Sequence, residues 1–212
     1  MKLINTNNWK RKEYFDFYSK YEDPFLGIVS RVECTSDYLK AKSQKTSFFS
    51  SYLHKALIVI NQIEEFKFRI LDNKVVMYEQ IHCASTIGRK DNSFAFSFCL
   101  FNKDYHQFDI NLKNEISQVE KSTGLREVND GYRMDVIYFS TLPWTTFTGI
   151  KHPVKLGTKE SIPKITFGKV YQKEGKWFMP VSVDIHHGFA DGYHVSKFFE
   201  NFEKLLNKNH TH

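Results

Sequence analysis

The stretch His186-His187-Gly188-Phe189-Ala190-Asp191-Gly192-Tyr193-His194 decides how the rest of the chain is read. Ahead of it, Trp177 to Ile185 is strongly apolar and has the residue choice of a strand. Behind it, Val195, Phe198, Phe199, Phe202, Leu205 and Leu206 recur at i, i+3, i+4 and i+7, which predicts an amphipathic helix from about Asp191 to Asn207. The nine residues are therefore a strand-to-helix corner, where polar side chains reach a rim open to substrates. Consecutive strand residues point to opposite faces, so only one of His186 and His187 can face a given pocket. Gly188 and Gly192 would permit a tight reversal.

Outward from the corner, Lys164 to Tyr171 and Trp177 to Ile185 flank Lys173-Glu174-Gly175-Lys176 and predict a hairpin. Met134 to Ser140 predicts a central strand closed by Pro143. Over Asn92 to Phe101 the residues Phe94, Phe96, Phe98 and Leu100 alternate as in a strand, and this stripe reads as core. Helices are expected over Lys10 to Tyr18, capped by Asn7 or Asn8, over Ser50 to Phe66, and over Asp104 to Ser122. The second buries Leu53, Leu57, Ile60 and Ile63, and the third Phe108, Leu112, Ile116 and Val119. Pro24 and Gly27 mark a loop before a strand at Ile28 to Cys34, and Phe68 to Leu71, Asp72-Asn73 and Val75 to Tyr78 predict another hairpin. Strands and helices alternate without strict βαβ regularity. The expected class is α+β, a single domain over residues 1–212 with an extended mixed β-sheet flanked by helices.

Composition narrows the function. With 41% apolar and 16% aromatic residues among 212, the chain can bury enough surface to offset its conformational entropy, which excludes disorder. Its 30 Lys/Arg and 24 Asp/Glu are interspersed, and the longest basic run is Lys10-Arg11-Lys12, so no nucleic-acid-binding arm is signalled. A mildly basic surface of net charge +6 suits a small polyanionic ligand. The polar Met1 to Arg11 has no apolar signal core, and no run approaches the roughly 20 residues that span a bilayer. Three widely spaced cysteines, Cys34, Cys83 and Cys99, signal no disulfide framework, which suggests a reducing, cytoplasmic setting without membrane partners.

Three readings of the corner compete on its residues alone. Asp191 can cap the following helix beside an incidental His pair. His187 and Asp191, or Asp191 and His194, can converge on a metal ion, although the glycines break the helix that would align them and no other His or Cys has motif spacing. Alternatively, the corner is an acid–base site in which an imidazole with a pKa near 6.5 serves as general base at neutral pH.

The pattern His-His-x-x-x-Asp-Gly, followed by an aromatic, His and Val, resembles the signature of the chloramphenicol acetyltransferase family, and its shorter form marks the related dihydrolipoamide acyltransferases. Asn8-Trp9-Lys10-Arg11-Lys12-Glu13-Tyr14-Phe15 is similar to that family's N-terminal segment, Ser140-Thr141-Leu142-Pro143-Trp144 to its Ser-x-x-Pro-Trp, Thr166-Phe167-Gly168-Lys169 to its Thr-Met-Gly-Lys, and Met179-Pro180-Val181-Ser182-Val183 to the strand before the His pair. Order and spacing agree along almost the whole chain. The resemblance implies a CoA-dependent acyltransferase-like fold and acetyl transfer from the co-substrate acetyl-CoA to a hydroxyl of chloramphenicol, with no metal. His187 would be the general base, Ser140 would hydrogen-bond the oxyanion, and Thr166 would assist through a bound water. Asp191 would pair with Arg11 to hold the corner. Tyr18, Leu26 and an aromatic near Phe94 would line the acceptor site, and Lys169 would approach the CoA phosphates with Trp144 nearby, Trp144 reading otherwise as a packing anchor. A homotrimer is implied, with the base from one chain and much of the acceptor pocket from its neighbour.

The chain departs from the family in four places. Gly188-Phe189-Ala190 replaces Ala-Val-Cys in the corner, Val170 replaces a cofactor-contacting Tyr, the stretch Thr145 to Gly157 has Ile150 and His152 where apolar and aromatic pocket residues are usual, and the Tyr21-to-Gly27 loop lacks the usual Pro-Cys pair. The third departure keeps a different small hydroxylated acceptor open as an alternative, and a non-catalytic CoA- or ligand-binding relative stands as another.

Overall fold

The computed structural model describes residues 1–126, 133–155 and 157–208. In chain order the elements are β1 (Lys2–Leu3), α1 (Lys12–Tyr18), β2 (Phe25–Glu33), α2 (Thr35–Gln44), α3 (Phe48–Gln62), β3 (Phe68–Leu71), β4 (Lys74–Met77), β5 (His82–Gly88), β6 (Phe94–Cys99), α4 (Tyr105–Lys121), β7 (Val136–Leu142), β8 (Lys164–Gly168), β9 (Tyr171–Lys173), β10 (Lys176–His186) and α5 (Gly192–Asn207). Short 3-10 turns occupy Thr6–Asn8 and Glu64–Lys67. The main sheet runs β2-β10-β8-β7-β5-β6, with β9 paired to the start of β10. Strand β7 is parallel to β5 and to β8, and the remaining neighbours are antiparallel. The fold is thus α+β with a mixed sheet and flanking helices, as the sequence implied. A small sheet, β1-β4-β3, stands beside it.

Side-chain alternation divides the main sheet into two unlike faces. Residues of one parity, including Ile137 and Phe139, Ile165 and Phe167, and Val181, Val183 and Ile185, form the core with Leu53 and Leu57 of α3, Phe108 and Leu112 of α4, and Val195, Phe198 and Phe202 of α5. Residues of the other parity are largely polar. Register lines up Ser140 with Thr166 and Thr166 with Ser182 across three adjacent strands, and Thr86 on β5 extends the row with its Oγ1 3.5 Å from Ser140 Oγ. The β7–β8 connection covers the middle of this face, so Thr166 and Ser182 are buried.

Several expectations are corrected. The first helix begins at Lys12 rather than Lys10, and its N-cap Arg11 makes no side-chain cap. Neither Asn7 nor Asn8 caps it; Asn5 accepts from the Asn7 N–H at the preceding turn. Strand β2 already starts at Phe25, because β10 offers a partner as far as the His186–Phe25 pair. The Phe94/Phe96 stripe faces outward, both rings being exposed, while the small Ala95, Ser97 and Cys99 fill the core side. The hairpin before the corner is interrupted after Gly168 and resumes at Tyr171. All three cysteines are free and buried.

Arg69 ties the two sheets together. Its wholly buried guanidinium donates to four carbonyls, those of Phe66 at 2.8 Å, Phe68 at 2.6 Å, Met134 at 2.8 Å and Val136 at 2.6 Å. Two of these carbonyls lie next to β3 or on it, and the other two lead into β7 or belong to it. Removing the donor strands buried carbonyls, each at a cost of about 1–3 kcal/mol. We expect Arg69→Met to lower the melting temperature by on the order of 10 °C, which thermal unfolding followed by circular dichroism checks.

Candidate active site

Strand β10 ends at His186 and delivers the corner. His186 is buried and keeps its ring neutral, since burial pushes its pKa down to about 4. Its Nδ1 accepts the Gly188 N–H at 3.1 Å, and its ring sits 4.8 Å from that of Phe189. The next residue points the other way, as alternation required. His187 Nδ1 lies 3.0 Å from the Ala190 carbonyl, so Nδ1 carries the hydrogen and Nε2 is left with a free lone pair. The ring of Tyr18 stacks on His187 with centroids 4.0 Å apart. Gly188 serves close approach rather than a left-handed turn: a Cβ there would meet Phe15 Cα at 2.9 Å. Gly192 meets no such neighbour and simply opens α5.

Arg11 clamps this corner. Its Nη2 and Nε donate to the His187 and Gly188 carbonyls, each at 3.2 Å, and its Nη1 reaches Asp191 Oδ2 at 3.0 Å. The cap reading and the Arg-pairing reading of Asp191 are both realised, since its other oxygen accepts from the Tyr193 N–H at the start of α5. His194 joins them, with Nδ1 2.8 Å from Asp191 Oδ1 and Nε2 3.2 Å from Glu65 Oε1. Burial works to raise the Asp191 pKa, but the Arg11 hydrogen bond and His194 outweigh it and hold the carboxyl below its ordinary value. Among the described residues no group of His, Cys, Asp or Glu could hold a metal ion.

Ser140 and Thr166 form a second centre, neighbours in register on β7 and β8. One chain does not bring them to His187. Ser182 pairs with Thr166, and His187 lies five residue steps beyond Ser182 along β10 and its extension, about 17 Å of extended chain. Near His187 the structure places Tyr18 and, across from Ile185, Leu26. Phe94 lies at the other edge of the sheet on β6, exposed. Lys169 is exposed just after β8, its N–H donating to the Thr145 carbonyl at 2.8 Å. Trp144 is 78% exposed, which overturns its reading as a packing anchor within the chain.

Two residues that the sequence did not single out as functional stand beside Thr166. His152 Nε2 is 3.1 Å from Thr166 Oγ1 and 3.4 Å from Asp184 Oδ2. Burial pushes the Asp184 carboxyl up to about 6, against the pull of Lys164. His152 had a signal, as a departure from the resembled pattern; Asp184 had none beyond being charged within an apolar strand. A cavity of about 280 Å³, lined by Gly27, Ile28, Val29, Thr148, Gly149, Ile150, Ser182 and Asp184, opens next to this group.

An oriented imidazole on a strand-to-helix corner, and a hydroxyl row on the sheet face opposite α3, α4 and α5, are the two places where this fold presents reactive side chains. Comparison with known structures assigns the class. A chloramphenicol acetyltransferase superposes with a TM-score of 0.91 at 32% identity, covering 97% of this chain and 99% of that one. A dihydrolipoamide acetyltransferase of Azotobacter vinelandii shares the fold alone, with a TM-score of 0.70 at 12% identity over 90% of this chain and 84% of that one. In sequence, the chloramphenicol acetyltransferase of Campylobacter coli is 30% identical over 207 residues, 97% of this chain and 98% of that protein. The family described as chloramphenicol acetyltransferase matches residues 1–203. The chain belongs to the chloramphenicol acetyltransferase family, and it is an acyltransferase.

The clamp gives a direct test. Asp191→Asn leaves a mostly buried Arg11 without its carboxylate, and Asp191 is about one-third exposed, so the loss is discounted to about 1–2 kcal/mol. We expect the melting temperature to fall by about 2–6 °C together with activity. Calorimetry and a turnover assay on the same preparation check this, and a thermally silent variant would contradict the structural role of the pair.

Proposed function

We propose that the protein transfers the acetyl group of acetyl-CoA to a hydroxyl of chloramphenicol by direct general-base attack. The observation that carries this reading is the His187 Nδ1–Ala190 carbonyl contact, which leaves Nε2 as the proton acceptor. The acceptor hydroxyl gives its proton to Nε2 while its oxygen attacks the thioester carbonyl. The tetrahedral oxyanion takes a hydrogen bond from Ser140, with Thr166 assisting through water. Collapse breaks the C–S bond, and the departing CoA thiolate recovers the proton from the imidazolium. A positioned base contributes about 10²–10⁴ in rate, and one oxyanion donor in a dry cleft about 10²–10³ more. The thioester is already activated, so no acyl-enzyme is needed. Lys169 serves the CoA phosphates, while Tyr18, Leu26 and Phe94 border the acceptor. Three buried free cysteines and a co-substrate of this kind fit a cytoplasmic setting.

The separation of His187 from Ser140 supports shared sites. Base and oxyanion donor must flank one reacting carbonyl, which about 17 Å of strand prevents within a chain. A second copy must therefore supply its His187 to the Ser140 and Thr166 of the first. That contact is heterologous, and a rotation that closes it makes a ring, here a homotrimer. Exposed aromatics at both ends, Phe17 and Tyr21 beside His187 and Phe94 and Phe96 across the sheet, give such an interface apolar surface to bury. The polar His152 beside Thr166 favours a second reading, an acceptor other than chloramphenicol that presents its own hydrogen-bonding groups.

A thiol-release assay with acetyl-CoA and chloramphenicol tests the first reading; turnover only with another alcohol would select the second, and none with any alcohol would reject both. His187→Ala should lower kcat by at least about 10³ while the fold persists. When His187→Ala and Ser140→Ala chains are unfolded, mixed and refolded together, random assembly should recover roughly a quarter of parental activity from sites with both groups intact. No recovery would contradict sites shared between chains.

A further inference from the structure

The β7–β8 connection brings an imidazole, and β10 a carboxylate, to Thr166 in a way that the reaction steps above leave unused. His152 Nε2 faces two oxygens at once, Thr166 Oγ1 at 3.1 Å and Asp184 Oδ2 at 3.4 Å. Thr166 is buried, and the His152 and Asp184 side chains are each 17% exposed. Gly27 on the neighbouring strand makes room for the carboxylate: a Cβ there would come within 2.8 Å of Asp184 Oδ1. The nearby cation, Lys164, is directed elsewhere, to Glu160 at 3.0 Å and to the Pro153 carbonyl at 3.1 Å. Asp23 adds only further negative charge to the surroundings.

One ring nitrogen offers either a hydrogen or a lone pair. If His152 Nε2 carried a lone pair, it would capture the Thr166 proton and oppose the carboxylate lone pairs of Asp184 in a half-buried site. If it carries a hydrogen, it donates to Thr166 Oγ1 while turning its positive edge to Asp184 Oδ2, an oxygen with no hydrogen bond of its own among the described residues, and the Thr166 hydrogen is released to point elsewhere. An ionised Asp184 therefore selects the second tautomer. We propose that Asp184, acting through His152, is a positioning residue that sets Thr166 as a hydrogen-bond donor toward the reaction centre. The proposal rests on the reading that Thr166 assists at the oxyanion. Titration is in keeping with it: burial raises Asp184 to about 6, and burial with Lys164 lowers His152 against the opposing pull of Glu160. Near neutral pH the pair is then an ionised carboxylate beside a neutral ring with one proton to place.

The test is a set of variants in the full-length protein, each shown to be folded by its melting curve. Asp184→Val removes the acceptor that selects the tautomer, and kcat should fall about tenfold. KM for acetyl-CoA should change less than about twofold, since only transition-state stabilisation is lost. Asp184→Asn, whose amide oxygen still presents a lone pair to Nε2, should keep most of kcat. Adding His152→Leu to Asp184→Val should restore the rate, because no lone pair remains to hold the Thr166 proton. In a Thr166→Val background, Asp184→Val should cost nothing further. Multiplicative losses in the Asp184→Val, His152→Leu pair, or a further loss on Thr166→Val, would overturn the proposal while leaving the role of Thr166 intact. A Thr166→Val variant as fast as the parent would overturn that role and the proposal with it.

Discussion

The guanidinium of Arg11 is the constraint on which the corner depends. The chain must reverse within a few residues between β10 and α5 while presenting one imidazole outward and burying another, and a reversal of that kind leaves carbonyls without partners. Arg11 satisfies those of His187 and Gly188 and also engages Asp191, which in turn caps α5. A single planar donor group thereby fixes where the strand stops, where the helix starts and which way the ring between them faces. Lysine would not substitute, because the three acceptors are met by three differently directed N–H groups. Asp191 acts on His187 through this scaffold, since the ring's own Nδ1 partner is the Ala190 carbonyl.

The other organising feature is the unequal treatment of the sheet's two faces. Helices α3, α4 and α5 cover one face with aliphatic and aromatic side chains, and the opposite face carries Thr86, Ser140, Thr166 and Ser182 in register across four strands. A row of hydroxyls is a surface on which an anionic intermediate can be stabilised without a charged donor, and it lies far along β10 from the imidazole of the same chain. In the proposed reaction, strand geometry distributes the parts so that a lone chain would hold two half-sites.

The strongly periodic elements were legible in sequence. The terminal helix announced itself through Val195, Phe198 and Phe202, and α3 and α4 through comparable spacing, because each buries one clean apolar stripe. Helix α2 and strand β5 were missed, as was the two-residue β1. Helix α2 buries only Asp37 and Ala41, and it docks through single contacts such as Tyr38 against Trp177 and Asp37 with Ser51, which carry no periodic signature. Strand β5, from His82 to Gly88, has the short side chains Cys, Ala, Ser and Thr on both faces and shows no alternation. The Phe94/Phe96 stripe misled because its period is right for a strand while its direction depends on which face the helices occupy, which one strand cannot reveal. The candidate site residues were named by resemblance and by the corner's chemistry; the Asp184–His152–Thr166 group was not, because it joins β10, a loop and β8. Of the divergent segment ending at Gly157, residue 156 lies outside the described residues.

Each turnover of the proposed reaction leaves behind a free coenzyme thiol, a ready partner for exchange with any accessible protein sulfur. Cys34, Cys83 and Cys99 are all sealed in the interior, and burial lifts the thiols of Cys34 and Cys99 to about 12. At neutral pH they hold almost no thiolate, the form that attacks disulfides and acyl donors alike. The catalyst is therefore inert toward its own product, and its sulfurs neither siphon off the activated acyl group nor become trapped as mixed disulfides while the coenzyme pool turns oxidising.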